Sequence, residues 1–414
     1  MILNDICELI VDCSHSTAQD EGAGYPLIRT PNIGKGRLNL DGVHRVSKEV
    51  YDKRNARAVP QDDDLILARE APAGNVAIIK NGEKVCLGQR TVLIRPDKKK
   101  VDPDFLAYYI LAPQQQYELL GTANGATVAH VNIPVIKALP VELPSLDVQI
   151  KVANILKAYD DLIENNILQI KLLDEAEQRL YKEWFVELNF KGHETCNIIA
   201  GIPEGWEYLP LQDVIGYEIG GGWGEETIKG KNEYEAYVIR GTDFDGLENG
   251  EIQGIPLRYH TESNLSARIL HPGDIVFEVS GGSRDEGVAR TVLITKELLD
   301  RLKKPVMCAS FCKLVRPEKQ ESSQYLFDHL RYLRASKITE EFDKRSASSI
   351  VNYRWKDFLS QQYILMPSDD VLQEYNTLAT KISEKKAVLS LQMETLKNAR
   401  DSLLPMLMSG EIEL

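Results

Sequence analysis

One stretch of this chain occurs twice, and this repeat constrains the fold more than any other feature of the sequence. The segment Pro-Ser-Leu-Asp-Val at 144–148 returns as Pro-Ser-Asp-Asp-Val at 367–371, an offset of 223 positions. The same offset, without a gap, matches Gln169, Leu173, Ala176 and Leu180 to Gln392, Leu396, Ala399 and Leu403. A period of this length is too long for a solenoid repeat. It fits two copies of a globular domain followed by a helix.

Four segments follow from the repeat. We predict a globular region at 1–143, a spacer helix at 144–190, a second globular region at 197–366 and a terminal helix at 367–414. We call the two globular regions the first module and the second module. A chain of 414 residues is long enough for each module to bury a core of its own.

Both helical segments have a seam of mostly apolar residues at alternating spacings of four and three, which is the pattern of a coiled coil. In the first segment the seam consists of Val152, Leu156, Tyr159, Ile163, Asn166, Ile170, Leu173, Glu177, Leu180 and Trp184. In the second segment it consists of Tyr375, Ala379, Ile382, Lys386, Leu389, Met393, Leu396, Arg400, Leu403 and Leu407.

Helices of this length cannot bury a whole seam on one small domain, so we expect the two seams to pack on each other. Antiparallel pairing is favoured because the second module lies between them in the chain and must lead the chain back. The alternative is two independent helices, each docked only on its own module. Asn166 is then either a polar residue that sets the register or a solvated position near a helix end.

The modules resemble each other more loosely. Runs of β-branched and other apolar residues occur at matching places, at 3–6 and 211–214, at 25–29 and 236–240, and at 86–96 and 308–317, and we interpret them as strands. A predicted helix follows in each module, at 104–111 and 322–333. The sequence therefore predicts an α+β fold with two globular domains separated by two long helices that form an antiparallel coiled coil, and with a pseudo-two-fold internal repeat.

Charge and composition restrict the class of protein. The net charge is −13, but the helical stretches 144–190 and 367–414 hold five basic against nine acidic residues and five against eight. The helices are therefore poor candidates for lying on phosphates, whereas local basic patches elsewhere still permit nucleic-acid binding. The absence of a long apolar segment and of a signal peptide predicts a cytoplasmic protein with no membrane contact. The six scattered cysteines indicate reduced thiols, and we expect Cys308 and Cys312 to be buried strand residues rather than zinc ligands.

Several segments, in this order, resemble one family. The Pro-Glu-Gly-Trp sequence at 203–206, shortly before 211–214, resembles the opening of its target-recognition domain, and residues 125–132 and 347–352 resemble the closing segments. The tail at 403–414 resembles the family's C-terminal ending. Over essentially its full length the chain thus resembles the specificity (S) subunit of a type I restriction-modification system.

The resemblance implies a function. Each module would be a target-recognition domain that binds one half of a bipartite site in double-stranded DNA. The helices would form a spacer that sets the gap between the halves and binds two modification (methyltransferase) subunits. Those subunits would use S-adenosylmethionine to methylate adenine at N6, and restriction (translocase and nuclease) subunits would use ATP and Mg²⁺. No catalytic residue, metal or cofactor is expected in this chain.

The residues agree with that expectation, since the sequence lacks a P-loop and the Asn/Asp-Pro-Pro-aromatic motif of adenine methyltransferases. The glycine-rich segment 220–224 could be a cofactor loop. A flexible surface loop is favoured because the segment lacks the combination of a preceding strand, a following helix and an acidic residue at the right distance. The three aspartates at 62–64 could bind Mg²⁺, yet a solvated turn is the better interpretation.

Candidate DNA contacts are basic residues in polar, loop-like stretches, because Lys and Arg position phosphates and can bind base edges. These candidates are Lys35, Arg37, Lys53, Arg54, Arg57, Arg284, Lys344 and Arg345. The family resemblance assigns none of them to a base. Two other functions remain open at this point: a free-standing DNA methyltransferase or nuclease, and a coiled-coil scaffold that joins two protein-binding domains without binding DNA.

Overall fold

The computed structural model describes residues 1–121, 130–281, 287–345, 351–412 and 414. It divides into two compact units, Met1–Ile163 together with Thr395–Leu414, and Glu164–Glu394. The first unit contains the first module and the second unit contains the second module. Each unit also contains one part of each long helix.

Among the described residues up to the end of the first long helix, the structure has seven strands and five α-helices. They are β1 Cys7–Asp12, β2 Tyr25–Ile28, β3 Arg45–Val46, α1 Lys48–Arg54, β4 Leu65–Ala68, β5 Val76–Ile78, β6 Cys86–Leu87, β7 Thr91–Pro96, α2 Pro103–Leu111, α3 Pro113–Leu120, α4 Ile133–Lys137 and the long helix α5 Leu146–Tyr181. A π-helical turn, Lys182–Val186, ends α5.

The later elements include the second long helix, α12. They are β8 Ile198–Ile199, β9 Ile202–Pro203, β10 Glu207–Pro210, α6 Leu211–Val214, β11 Ile215–Gly220, β12 Tyr234–Ile239, α7 Phe244–Glu248, β13 Leu257–His260, α8 Glu262–Arg268, β14 Ile275–Glu278, β15 Ser280–Gly281, β16 Thr291–Leu293, α9 Lys296–Leu302, β17 Val306–Cys308, β18 Cys312–Pro317, α10 Ser323–Ala335, β19 Asp343–Arg345, β20 Val351–Tyr353, α11 Trp355–Gln361, β21 Tyr363–Met366 and α12 Asp369–Met408.

The two modules share one topology. The first module has a four-stranded antiparallel sheet in the order β1-β7-β4-β5, and the second has β11-β18-β14-β16. Three-stranded sheets in the orders β3-β2-β6 and β13-β12-β17 also correspond, and each has one parallel pair, β2 with β6 and β12 with β17. Even the irregular register at the start of the first strand is repeated, between Cys7 and Leu9 and between Ile215 and Tyr217. The internal repeat predicted from the sequence is confirmed.

Alternating side chains of the central strands fill two cores, because successive strand residues point to opposite faces of a sheet. In β4, Leu65 and Leu67 pack in one apolar cluster with residues of α2, while Ile66 and Ala68 pack in another on the opposite face. Every residue of β4 is buried. Coverage of both faces explains why the strand sequence is uniformly apolar.

A buried ion pair is duplicated as well. Asp64 and Arg95 are joined at 2.7 Å in the first module, and Asp274 and Arg316 at 2.6 Å in the second. Both aspartates are 1% exposed. Each pair ties the start of a central strand to its neighbour, so the repeat extends to side-chain interactions.

The predicted helices at 104–111 and 322–333 are confirmed as α2 and α10, whereas one predicted strand pair is wrong. Residues 3–6 form a 3₁₀ turn, and their counterparts form the short helix α6. The carboxylate of Asp5 accepts a hydrogen bond from the amide of Ile2 (3.0 Å), which closes the turn. Leu3 and Ile6, three positions apart, are both buried on one side of it. A four-residue apolar run does not distinguish such a turn from a strand.

Cys308 and Cys312 are fully buried strand residues, as predicted. Burial raises the pKa of the Cys308 thiol to about 12, so this thiol stays protonated at neutral pH. Within the described ranges, none of the helices combines the length and the apolar character needed to cross a bilayer.

Candidate nucleic-acid interface and helix seam

In the first unit the start of α5 packs against the end of α12. Val152 and Leu156 of α5 lie in one apolar cluster with Leu407 of α12, and Leu403 and its neighbours pack against that cluster. The same cluster includes residues of α2, so the helix pair also contacts the module. Because an early part of one helix meets a late part of the other, the pairing in this unit is antiparallel.

In the second unit the end of α5 packs against the start of α12. Ile170 lies in a cluster with Leu389 and Met393. Further along, Tyr375 packs among the aromatic rings that follow α5, with its ring centroid 6.0 Å from that of Trp184. The pairing is again antiparallel, so the predicted antiparallel coiled coil is confirmed, and the alternative of two helices docked only on their own modules is wrong.

The structure places every predicted seam residue away from bulk solvent. Fully buried are Val152, Leu156, Ile163, Asn166, Ile170, Glu177, Trp184, Tyr375, Ala379, Leu389, Met393 and Leu407. Half-buried are Tyr159, Leu173, Leu180, Ile382, Lys386, Leu396, Arg400 and Leu403. Asn166 is 7% exposed, so it is not a solvated end position.

The polar seam residue of the first unit, Arg400, is paired with an acid. Its Nη1 lies 2.6 Å from Oδ1 of Asp160 on α5, and the hydroxyl of Tyr108 donates to the other oxygen of Asp160 at 2.6 Å. Asp160 is 3% exposed. The ion pair therefore joins the two long helices and α2 through one buried carboxylate.

Two polar seam residues of the second unit, Glu177 and Lys386, belong to a larger charged network. Lys386 donates to Oδ1 of Asp174 (3.0 Å) and to Oε2 of Glu177 (2.9 Å). Arg331 of α10 donates to the other oxygen of Asp174. Two cations thus face two carboxylates in the seam.

Nearby charges set the protonation of this network. Burial alone would raise the pKa of Asp174, but the hydrogen bond from Arg331 and the charges of Arg331 and Lys386 lower it to about 2. Asp328 of α10 is different, because its complete burial and the nearby charge of Glu177 raise its pKa to about 8. The raised pKa favours the neutral form of Asp328, and the two cations face the carboxylates of Asp174 and Glu177.

Sequence reasoning found Glu177, Lys386 and Arg400 as seam residues but missed Asp160, Asp174 and Arg331. Asp160 and Asp174 lie beside the seam, where a polar residue is the ordinary expectation. Arg331 comes from another segment of the chain. The sequence did contain one indication of these partners, the charged residues at seam positions. A charge at a buried position needs a partner of opposite charge.

His329, next to Asp328 in α10, is expected to make the stability of the second unit depend on pH. Its Nδ1 lies 2.7 Å from the Tyr181 hydroxyl. Burial lowers the pKa of His329 to about 4, below the ordinary value of about 6.5. Between these values the unfolded chain binds the extra proton, so this histidine makes the second unit less stable as the pH falls from about 6.5 toward 4. The loss approaches about 3 kcal/mol.

Replacing His329 by glutamine removes this titration. The difference in unfolding free energy between the wild type and H329Q, measured in urea at several pH values, is therefore expected to narrow as the pH falls from 7 to 4. His193→Gln, at a half-exposed histidine of the same unit, is the control. A difference that stays constant over this pH range would contradict the prediction.

Among the DNA-contact candidates of the first module, Lys35 and Lys53 are exposed and have no ion-pair partner among the residues that the structure describes. Arg37 instead reaches the long helix α5, where its Nη2 lies 2.6 Å from Asp161. Arg57 is exposed, and its guanidinium donates to the main-chain oxygens of Asp12 and Cys13. The structure does not bring these candidates into one cluster with a shared function.

Arg54 has a structural role that the sequence pattern did not indicate. It is 8% exposed and donates to the main-chain oxygens of Leu87 (2.8 Å) and Ser16 (2.9 Å), so it holds the segment after β1. Arg268 is its counterpart, because each is the last residue of a short helix, and Arg268 donates to the oxygen of Gly220 at the end of β11.

In the second module, Lys344 lies in β19 and is exposed. Arg284 lies outside the described residues, and so does the side chain of Arg345. The closing segments of the two modules are described only from 130 and from 351 onward.

Two segments considered for ligand binding have other partners. In the segment 220–224, residues 221–224 form a surface loop, as predicted, with Trp223 exposed. The amides of Gly221 and Gly222 donate to the oxygens of Cys312 and Cys308 and hold the loop against the neighbouring strands. In the predicted turn 62–64, the Asp63 carboxylate pairs with Lys80 and Lys98. These cations occupy the oxygens that a metal would need.

Comparison with known proteins supports the resemblance. Residues 1–172 match a family model described as the type I restriction modification DNA specificity domain. The type I restriction enzyme MjaIX specificity subunit of Methanocaldococcus jannaschii is 25% identical over 382 residues, which cover 90% of this chain and 83% of that protein. The MjaVIII specificity subunit of the same organism is 23% identical and covers 94% of this chain and 86% of its own length.

A solved structure has a similar fold. The crystal structure of the S subunit of a type I restriction-modification system from M. genitalium superposes with a TM-score of 0.50 at 14% sequence identity, covering 98% of this chain and 95% of that one. The predicted resemblance is therefore confirmed: over nearly its whole length, this chain is similar to the specificity subunits of type I restriction-modification systems.

Proposed function

We propose that this chain is the DNA-specificity subunit of a type I restriction-modification complex and that it recognises a bipartite target in double-stranded DNA. The proposal rests on one observation, the repetition of the same sheet order, β1-β7-β4-β5 and β11-β18-β14-β16, in the two units. Two similar modules in one chain are suited to two half-sites. Each module binds one half, and the antiparallel helices set the number of base pairs between the halves.

Phosphate contacts come from exposed lysines that have no competing acidic partner. Lys35 and Lys53 in the first module meet this condition among the described residues. Their charges position the protein on the duplex without selecting a sequence. Arg54 does not belong to this set, because main-chain oxygens already occupy its guanidinium.

The chemistry belongs to partner subunits. Two modification subunits bind the helix pair and use S-adenosylmethionine to methylate adenine, and restriction subunits use ATP and Mg²⁺. This chain contributes recognition and spacing, and we propose no catalytic residue in it. The resemblance to type I specificity subunits supports this division of labour.

The test is to express the chain with its modification subunits and to map methylated adenines by long-read sequencing of the host genome. The expected motif has two specified halves separated by a fixed number of unspecified bases. A contiguous motif would contradict the proposal. The absence of any motif, together with no sequence-selective retardation of DNA, would instead favour a protein-binding scaffold.

A further inference from the structure

The small sheet β15-β20-β19 of the second module places three polar residues in one line. Asn352 of β20 is paired with Ser280 of β15 on one side and with Lys344 of β19 on the other. Residues directly opposite one another on neighbouring strands share a face, so these three side chains lie on the same face of the sheet.

The other face of this sheet belongs to the core. Val351 and Tyr353, which flank Asn352 in β20, are both buried in the large apolar cluster of the second unit. Asn352 and Lys344 are exposed. The buried flanking residues therefore fix which face of the strand is exposed, and the Asn352 side chain points away from the core.

Ser280 orients the Asn352 amide. The Ser280 hydroxyl donates to Oδ1 of Asn352 at 3.1 Å, and Ser280 is 8% exposed. This hydrogen bond fixes the amide plane and directs the Nδ2 donors of Asn352 away from Ser280, toward another molecule. Neither Nδ2 of Asn352 nor Nζ of Lys344 has a hydrogen-bond partner within the part of the chain that the structure describes.

The row therefore presents two donor groups. An amide NH₂ and an ammonium group lie on adjacent strands, about 5 Å apart, and a strand pair is narrow enough to enter a major groove about 12 Å wide. Guanine is the base whose major-groove edge has two acceptors, N7 and O6, without a donor. A side chain that is already oriented also loses less conformational freedom when it binds.

We propose that Asn352 and Lys344 form a base-recognition site of the second module that binds the major-groove edge of a guanine, and that Ser280 is the positioning residue. This inference rests on the proposed function, because it names a contact within the half-site that the second module recognises. Asn352 then determines one base of that half-site, while Lys344 adds affinity at the same place.

The experiment uses the chain in complex with its modification subunits and a library of DNA duplexes in which the second half-site is randomised. Methylated duplexes are sequenced, and the preference at each position is compared between variants. The wild type is expected to require guanine at one position of this half. In Asn352→Ala the preference at that position is expected to fall by about tenfold or more, with every position of the other half unchanged.

Asn352→Asp is expected to change the preferred base, a result that misfolding of the variant cannot produce. The aspartate can still accept the Ser280 hydrogen bond, but it presents an acceptor in place of the donor. Cytosine offers a donor at N4, so the preference at that position is expected to change from guanine to cytosine. Ser280→Ala is expected to weaken the guanine preference by a smaller factor than Asn352→Ala, because it removes only the orientation.

Lys319→Ala is the matched control, because Lys319 is an exposed lysine of the same module outside the sheet. It is expected to leave every position unchanged. An unchanged motif in both Asn352 variants would overturn the inference, and so would a second half-site without guanine. A wild type that shows no bipartite motif would instead contradict the proposed function itself. The experiment therefore distinguishes a failure of the proposed function from a failure of the inference about Asn352.

Discussion

Replacing Arg331 by methionine is expected to lower the unfolding free energy of the second unit by about 3–5 kcal/mol. Arg331 is one of two cations that face the carboxylates of Asp174 and Glu177 in the helix seam. Methionine retains most of the length of the side chain but leaves Lys386 alone against two buried carboxylates. An uncompensated buried charge is among the most costly changes in a folded protein.

Tryptophan fluorescence in urea measures this effect selectively, because all four tryptophans of the chain, Trp184, Trp206, Trp223 and Trp355, lie in the second unit. Arg179→Met is the control. The Arg179 side chain is 79% exposed in its pair with Glu183, so its loss is expected to cost less than about 1 kcal/mol.

A second substitution separates charge from packing. In the Arg331→Met background, Glu177→Gln removes the carboxylate charge that Lys386 cannot balance in addition to that of Asp174. The double variant is expected to recover more than about 1 kcal/mol. If the double variant is less stable than Arg331→Met alone, packing rather than charge balance explains the role of Arg331. If Arg331→Met is as stable as the wild type, Arg331 does not stabilise the second unit by balancing the carboxylates of Asp174 and Glu177.

The helix seam could be predicted from the sequence because it depends on periodicity alone. Leu156, Ile170 and Leu389 repeat at the spacing of a coiled coil, and the structure buries all three. The direction of pairing also followed, because the length of the second module requires the chain to return. Local spacing and chain connectivity are both visible in a single sequence.

Contacts between distant segments could not be predicted in the same way. Arg54 stands in a polar, basic stretch typical of a surface, yet it donates to the main chain of Ser16 and Leu87. Nothing in its local pattern indicates those partners. Arg331 likewise meets Asp174 only because α10 packs on the helix pair. The predicted strand at Leu3–Ile6 was wrong for another reason, because four residues are too few to show the period of a strand or a helix.

The DNA interface could be predicted from the sequence only in part. Lys344 could be selected as a basic residue in a polar stretch, whereas Asn352 was noted only as the last residue of a closing segment and not as a DNA contact. Its importance depends on the strand register, which places it opposite both Lys344 and Ser280. A register of this kind is set by the tertiary fold and not by local composition.

We propose that the two antiparallel helices fix the gap between the two recognised half-sites. Inserting four residues at the corresponding positions of both helices, after Leu168 in α5 and after Leu391 in α12, lengthens each by about 6 Å. This length is close to the rise of one to two base pairs of DNA, at about 3.4 Å each. Insertion in α5 alone is the control, and it is expected to abolish methylation because the two seams no longer match.

Long-read mapping of methylated adenines, with the modification subunits present, measures the outcome directly. The doubly extended chain is expected to recognise the same two half-site sequences, separated by one or two additional unspecified base pairs. An unchanged gap, or a change in either half-site sequence, would show that the helices do not set the gap.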